Sequence, residues 1–168
     1  MEIKLISLNE IDSVLRIYDE GASQMIKDGC LTWKNNYPNR DMAKEDIDNN
    51  SIYGVYNEDG DILGLFTLDS IAPPHYDEMD WKTDGQPFLT FHRLAVAEKG
   101  KGQGIGGKLI DFSINMAREG GYKSVRMDAY HKNWRALKLY ESKGFVRVGT
   151  VQFEKNDGEN FCLEYVIK

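Results

Sequence analysis

The chain has 168 residues, 41% of them apolar, and a net charge of −6 at neutral pH. That is long enough for one well-buried domain spanning residues 1–168 and short for two, and the acidic balance argues against nucleic acid as a main partner. Two cysteines without metal spacing, no signal peptide and no long apolar segment predict a soluble, cytoplasmic protein that binds neither membrane nor metal.

The apolar run Ile3 to Ile6 reads as a strand, and Asn9 followed by Asp12 resembles a helix-opening cap, with Leu8 placed to pack back on the first turn. Ile11, Val14, Leu15, Tyr18, Ala22, Met25 and Ile26 then share one helical face, and Gly29 provides a stop. In the segment CLTWKNNYP that follows, Trp33 and Tyr37 either line a pocket or cap the core. A short helix is expected over 41–47, and strands over 51–56 and 62–68, joined by the hairpin signal Glu58-Asp59-Gly60-Asp61. Residues 69–87 hold three of the four prolines and no periodicity, so a loop is expected, and loops of this length are uncommon unless functional. Its His75, Tyr76, Asp77, Glu78, Asp80 and Trp81 fit two readings equally, the wall of a site for an ammonium group or a solvated excursion.

Phe88 to Val96 is rich in aromatic and branched residues and reads as a buried strand, while Ile105, Leu109, Ile110, Phe112 and Met116 recur at helical spacing. Between them lie Gly100, Gly102, Gly104, Gly106 and Gly107 with Lys99, Lys101 and Lys108. Glycine at a strand-to-helix turn permits positive φ and close backbone approach, and the first-turn amides together with the helix dipole favour an anion, most simply a phosphate. Three patterns compete for these residues. The dinucleotide fingerprint GxGxxG is matched by Gly102, Gly104 and Gly107, with Asp128 at the end of another strand as a ribose-binding acid. Against it, Glu98, Lys99, Gly100 and Lys101 intervene between the strand and the first glycine of the pattern, and no further strand-helix-strand units follow. A Walker pattern is matched at Gly102, Gly107 and Lys108, but the next residue, Leu109, has no hydroxyl for magnesium. The third is the pyrophosphate loop of coenzyme A-dependent acyltransferases, read here as Lys101-Gly102-Gln103-Gly104-Ile105-Gly106.

After the central helix, Gly120-Gly121 marks a stop and 123–129 a strand, giving a crossover that makes this strand a parallel neighbour of Phe88–Val96. A helix follows, closed by Gly144 and Phe145. Strands over 146–153 and 160–167, joined through Asn156-Asp157-Gly158, finish the chain without internal repeats or linkers.

The stretch Asn133-Trp134-Arg135-Ala136-Leu137-Lys138-Leu139-Tyr140-Glu141-Ser142-Lys143-Gly144-Phe145 resembles the NxxAxxLYxxxGF signature of the GNAT superfamily of N-acetyltransferases. Together with the glycine loop, the resemblance covers Phe88 to Val148, departing at Lys101, where the family has Arg or Gln. It implies a mixed α/β (α+β) fold: a central, mostly antiparallel sheet flanked by helices, with parallel, splayed strands 4 and 5. It also implies acetyl-coenzyme A as cofactor. Leu94, Ala95 and Val96 would bind the pantetheine arm, and Lys101, Gly102, Gln103, Gly104, Ile105, Gly106, Gly107 and Lys108 the pyrophosphate, with Gly104 and Gly106 at the closest approaches. Asn133, Ala136, Tyr140 and Lys143 would complete the cofactor site.

By the same resemblance Tyr140 protonates the leaving thiolate, with a structural tyrosine as the competing reading, and a backbone N–H at or near Leu94 stabilises the oxyanion. The base that deprotonates the amine has no motif. His92 is the first candidate and Asp128 the second, with a water chain third; a buried, hydrogen-bonded histidine is the competing explanation for His92. The expected activity is acetylation of a primary amine on a small molecule, peptide N-terminus or lysine by direct attack, with an acyl-coenzyme A sensor as the alternative. A homodimer through the C-terminal hairpin is also implied.

Overall fold

The computed structural model describes residues 1–153 and 158–168, so the expected turn residues Asn156 and Asp157 lie outside it. Its elements are β1 (Glu2–Leu5), α1 (Ile11–Lys27), α2 (Arg40–Asp48), β2 (Ile52–Tyr56), β3 (Ile62–Asp69), β4 (Phe88–Val96), α3 (Ile105–Glu119), β5 (Ser124–Tyr130), α4 (Trp134–Ser142), β6 (Val146–Gln152) and β7 (Glu159–Val166). The strands form a seven-stranded mixed sheet in the order β1-β2-β3-β4-β5-β7-β6. β4 and β5 are parallel, and β2–β3 and β6–β7 are antiparallel, as expected from the crossover and hairpin signals; the ladders β1–β2 and β5–β7 are antiparallel as well. The parallel register joins Phe88, Leu89 and Thr90 to Ser124, Val125 and Arg126. The chain groups into two compact units, Met1–Leu68 with His92–Leu109, and Asp69–Phe91 with Ile110–Lys168.

In the first unit, α1 buries Ile11, Val14, Ile17 and Tyr18. Ile17 replaces Ile26 of the expected face; Ile26 is 53% exposed near the helix end. The start of α1 also differs from expectation. A 3-10 turn at Leu8–Glu10 precedes it, and the cap is Ser7, whose N–H donates to Glu10 Oε2 at 2.9 Å. Ser7 and Glu10 thus satisfy each other three residues apart, a pairing that outcompetes the Asn9–Asp12 alternative. α2 is capped by Asn39, whose Oδ1 accepts from the Met42 N–H at 3.0 Å. The core joins these helices to Ile6, Ile52, Tyr56, Ile62, Leu65, Ala95 and Ala97.

In the second unit, residues 69–87 are not a solvated excursion. Tyr76 and Trp81 are 2% and 6% exposed and share a core with Cys162 of β7. Trp81 Nε1 donates to the Tyr76 carbonyl at 2.6 Å. The far end of the segment is held by Glu164, a fully buried carboxylate that accepts from the Lys82 N–H (2.6 Å) and Thr83 Oγ1 (2.6 Å). Arg126 Nε lies 3.5 Å from the same carboxylate, and its guanidinium stacks on the rings of Trp81 and Phe88. Burial lowers the Arg126 pKa, and Glu164 opposes that shift.

Removing one partner of a buried pair strands the other's charge and its donors. Glu164→Ala is therefore expected to destabilise the protein by about 3–5 kcal/mol, read as a lower urea midpoint; an unchanged midpoint would contradict this account of the anchor.

Candidate active site

The glycine turn is built in the first unit by contact with β3. Beyond β4, the Ala97 N–H donates to the Leu63 carbonyl at 2.9 Å, and the 3-10 turn Glu98–Gly100 follows. The Glu98 N–H opening that turn donates to Glu20 Oε2 at 2.7 Å. A Cβ on Gly100 would lie 2.2 Å from the Leu63 carbonyl oxygen, and one on Gly64 would lie 2.5 Å from Ile105 Cγ2. No side chain fits at either position without displacing the turn.

Gly102 and Gly104 have φ of +74° and +70°, and a Cβ built on either meets nothing within 4 Å. Lys101 to Gly104 are exposed, α3 starts at Ile105, and its first turn holds Gly106 (buried), Gly107 (half-buried) and Lys108 (exposed). The first amides of a helix have no intrahelical acceptors, so this turn presents backbone donors over a strip of open backbone. The lysines do less than their number implied. Lys99 Nζ is 2.9 Å from Asp61 Oδ2, and Lys101 Nζ is 2.5 Å from Glu98 Oε2 and 3.0 Å from Gln24 Oε1. Two of the three cations are locally paired, which moves the weight of anion binding to the backbone. Gln103 is also bound within the turn, its Nε2 donating to the Lys99 carbonyl at 2.7 Å.

On β4, Arg93 has a φ of +50°, a left-handed conformation inside a strand. His92, Arg93 and Leu94 are all half-buried rather than alternating, while Ala95 is buried and Val96 half-buried. The kink is held from α2 and β3: Arg93 Nη2 donates to Asp46 Oδ2 at 2.6 Å, and Thr67 Oγ1 donates to the same oxygen at 2.7 Å. Burial disfavours the Arg93 charge, but Asp46 outweighs it and the pKa is raised. Tyr18 lies in the same cluster, its hydroxyl pushed up to about 12, chiefly by burial. A left-handed residue at Arg93 turns the following Leu94 amide away from the direction an unbroken strand would give it.

The second unit holds Asp128, Asn133, Ala136, Tyr140 and Lys143. Tyr140 is 5% exposed and packs edge-on against Phe91, with ring centroids 5.3 Å apart. Burial, and then the Asp128 charge, raises its pKa, so it keeps its proton at neutral pH. Cys162 faces Asp128 across the β5–β7 ladder, and the same two causes push its thiol up to about 12, which removes it as a thiolate nucleophile. Asn133 precedes α4 and accepts the Leu137 N–H through its carbonyl at 3.0 Å. Ala136 is half-buried on the first turn, and Lys143 Nζ is bound to Asp111 Oδ2 at 2.7 Å.

Asp128 is surrounded by groups that sequence reasoning did not connect with it. Tyr76 Oη donates to its Oδ1 at 2.9 Å, Asn160 Nδ2 donates to its Oδ2 at 2.9 Å, and His75 Nε2 stands 3.7 Å from Oδ1. Burial opposes its charge, but His75, Asn160 and Tyr76 outweigh it, and the carboxyl titrates below its ordinary range. Tyr76 and Asp128 are 52 residues apart, so no local spacing could have paired them. Of the loop residues read either as the wall of a site or as a solvated excursion, His75 is half-buried beside Asp128, Tyr76 and Trp81 are core, and Asp77, Glu78 and Asp80 are exposed. Among the described residues no cluster of His, Cys, Asp and Glu could hold a metal ion, and no helix is long and apolar enough to cross a membrane.

Comparison with known proteins agrees with this architecture. The chain is 25% identical over 109 residues to N-acetyltransferase family 8 member 2 of Rattus norvegicus, a match covering 65% of this chain and 45% of that protein. The chain therefore spans less than half the length of that relative. Its fold matches a GNAT-family acetyltransferase from Streptococcus agalactiae 2603 with a TM-score of 0.83 at 24% identity, covering 99% of this chain and 95% of that one. It also matches a chain of the NatC complex bound to Gag peptide and coenzyme A, with a TM-score of 0.69 at 17% identity and 100% coverage of both. The model of the acetyltransferase (GNAT) family matches residues 16–145, so the chain belongs to that family.

Proposed function

We propose that the protein transfers an acetyl group from acetyl-coenzyme A to a primary amine of a small molecule, a peptide N-terminus or a lysine. The observation that carries this reading is the open backbone at Gly102 and Gly104, left-handed and free of neighbours, leading into the first turn of α3. Such a turn suits a pyrophosphate, whose oxygens accept from several adjacent amides at once. The cofactor supplies the activated acyl group as a thioester. Around it, Lys101 to Lys108 serve as the phosphate-binding turn and Leu94 to Val96 as the edge for the pantetheine amides. Asn133, Ala136 and Lys143 are assigned to the same cofactor through the family motif, and Lys143 is paired with Asp111.

Tyr140 acts as the acid that returns a proton to the leaving sulfur. The phenol is protonated at neutral pH, as the role requires. The Leu94 amide, turned by the left-handed Arg93, is the donor for charge developing on the acyl oxygen. Asp128 is held by two donors and has a lowered pKa, which suits an anion better than a base; on β4 itself the candidate base is His92. Two buried, unpaired cysteines support a reducing, cytoplasmic setting.

Acetyl-coenzyme A at about a hundredfold over its dissociation constant is expected to raise the melting temperature by several degrees, whereas NAD should not. Tight binding without turnover of any amine would favour the sensor alternative. Gly104→Val places a branched side chain at φ +70° and should weaken that thermal shift even where the variant folds. Tyr140→Phe is expected to lower kcat about a hundredfold while leaving the acetyl-coenzyme A shift in place, and full activity across pH would remove Tyr140 from the mechanism.

A further inference from the structure

The geometry points to His75 as the proton acceptor for the incoming amine, with Asp128 as its positioning residue. This rests on the acetyltransferase reading above and adds a catalytic group from the β3–β4 segment that neither the motif nor β4 supplies. Asp128 lies on β5, and its carboxylate is fixed from two sides by Tyr76 Oη and Asn160 Nδ2, each at 2.9 Å. Its Oδ1 faces His75 Nε2 at 3.7 Å, and that nitrogen is shut off from solvent and has no hydrogen-bond partner at this distance. A slight approach of the ring converts the contact into a charge-assisted hydrogen bond. The ring plane is set by edge contacts with Tyr76 and with Phe153, whose centroids lie 4.9 and 4.7 Å away. Because Nε2 is enclosed, the 15% of the side chain that remains accessible belongs to its other atoms.

A carboxylate beside Nε2 selects the tautomer with its proton on Nε2, which leaves the lone pair on Nδ1. An ammonium group placed at Nδ1 breaks one N–H bond, the proton passes to Nδ1, and the electron pair stays on the amine nitrogen. The resulting imidazolium is compensated by Asp128, and the proton later leaves to water. The ionisable groups around the pair are Tyr76 from the same segment, Asp128 and Arg126 from β5, Tyr140 from α4 and Cys162 from β7. Among the described residues, Asp128 is the carboxylate of this group, and Tyr76, Tyr140 and Cys162 have raised pKa values that keep them neutral at the pH where an imidazole exchanges protons.

The test is a nitrogen-15 NMR spectrum of the imidazoles in the unliganded full chain, with His75 distinguished from His92 and His131 by His75→Gln. Neutral His75 is expected as the Nε2–H tautomer, and Asp128→Asn should reduce that preference. A wild-type ring protonated on Nδ1, or a tautomer ratio indifferent to Asp128→Asn, overturns the pairing. With acetyl-coenzyme A and a panel of benzylamine, spermidine and a dipeptide, His75→Gln should lower kcat at least tenfold with the cofactor KM unchanged; unchanged kcat removes His75 as the base. Absence of a thermal shift with acetyl-coenzyme A in the wild type would instead refute the parent reading, while the tautomer measurement still decides the pair.

Discussion

The approach of the glycine turn to β3 is the constraint on which the candidate cofactor site depends. The Leu63 carbonyl accepts from the Ala97 N–H and lies where a Cβ of Gly100 would be, so turn and strand meet backbone to backbone. Gly64, one residue along β3, makes the corresponding room for Ile105 at the start of α3. These contacts fix both ends of the exposed stretch from Lys101 to Gly104. The stretch can stay free of side-chain contacts because its position is set by its flanks. Pre-organised amides need no reorganisation when an anion arrives, which is the general advantage of backbone over long flexible cations.

The pairing of charges around that stretch follows the same logic. Lys99 with Asp61 and Lys101 with Glu98 are exposed pairs worth little in stability, but they localise cationic side chains that would otherwise sample the turn. Asp46 is different, because it is buried and joins α2, β3 and the left-handed Arg93 through one oxygen. A left-handed non-glycine residue in a strand persists only where its surroundings over-determine it, and a buried ion pair with a threonine donor supplies that.

Much of this architecture was legible because it is periodic or local. The bounds of β4 were readable residue by residue from its aromatic and branched run, and the NxxAxxLYxxxGF motif marked α4 and its glycine stop. Ser7 was missed because the competing cap, Asn9 followed by Asp12, lies two residues later and differs only in which acid folds back. The segment 69–87 was legible as a loop, but which of its residues are buried was not. It lacks periodicity because its ordered residues are fixed one at a time by partners on distant strands, Tyr76 by Asp128 and Thr83 by Glu164. The pairing of Lys99 was illegible for a related reason: Asp61 lies 38 residues away.

Anchoring at separate points has a consequence for how this segment can vary. Tyr76 and Trp81 are committed to the core, and Lys82 and Thr83 give their amides to Glu164, so these positions are bound to the fold. Asp77, Glu78 and Asp80, between the anchors, are exposed and carry none of those contacts. A substitution there leaves Asp128 with both of its fixed donors and leaves Glu164 with its amides. The segment can therefore change the charge it offers to an acceptor without moving His75, whose neighbour Tyr76 is held by its hydroxyl at one end and by the Trp81 indole on its carbonyl at the other. In the proposed mechanism, the chemistry of proton removal is thereby separated from the recognition of the molecule that gives up the proton.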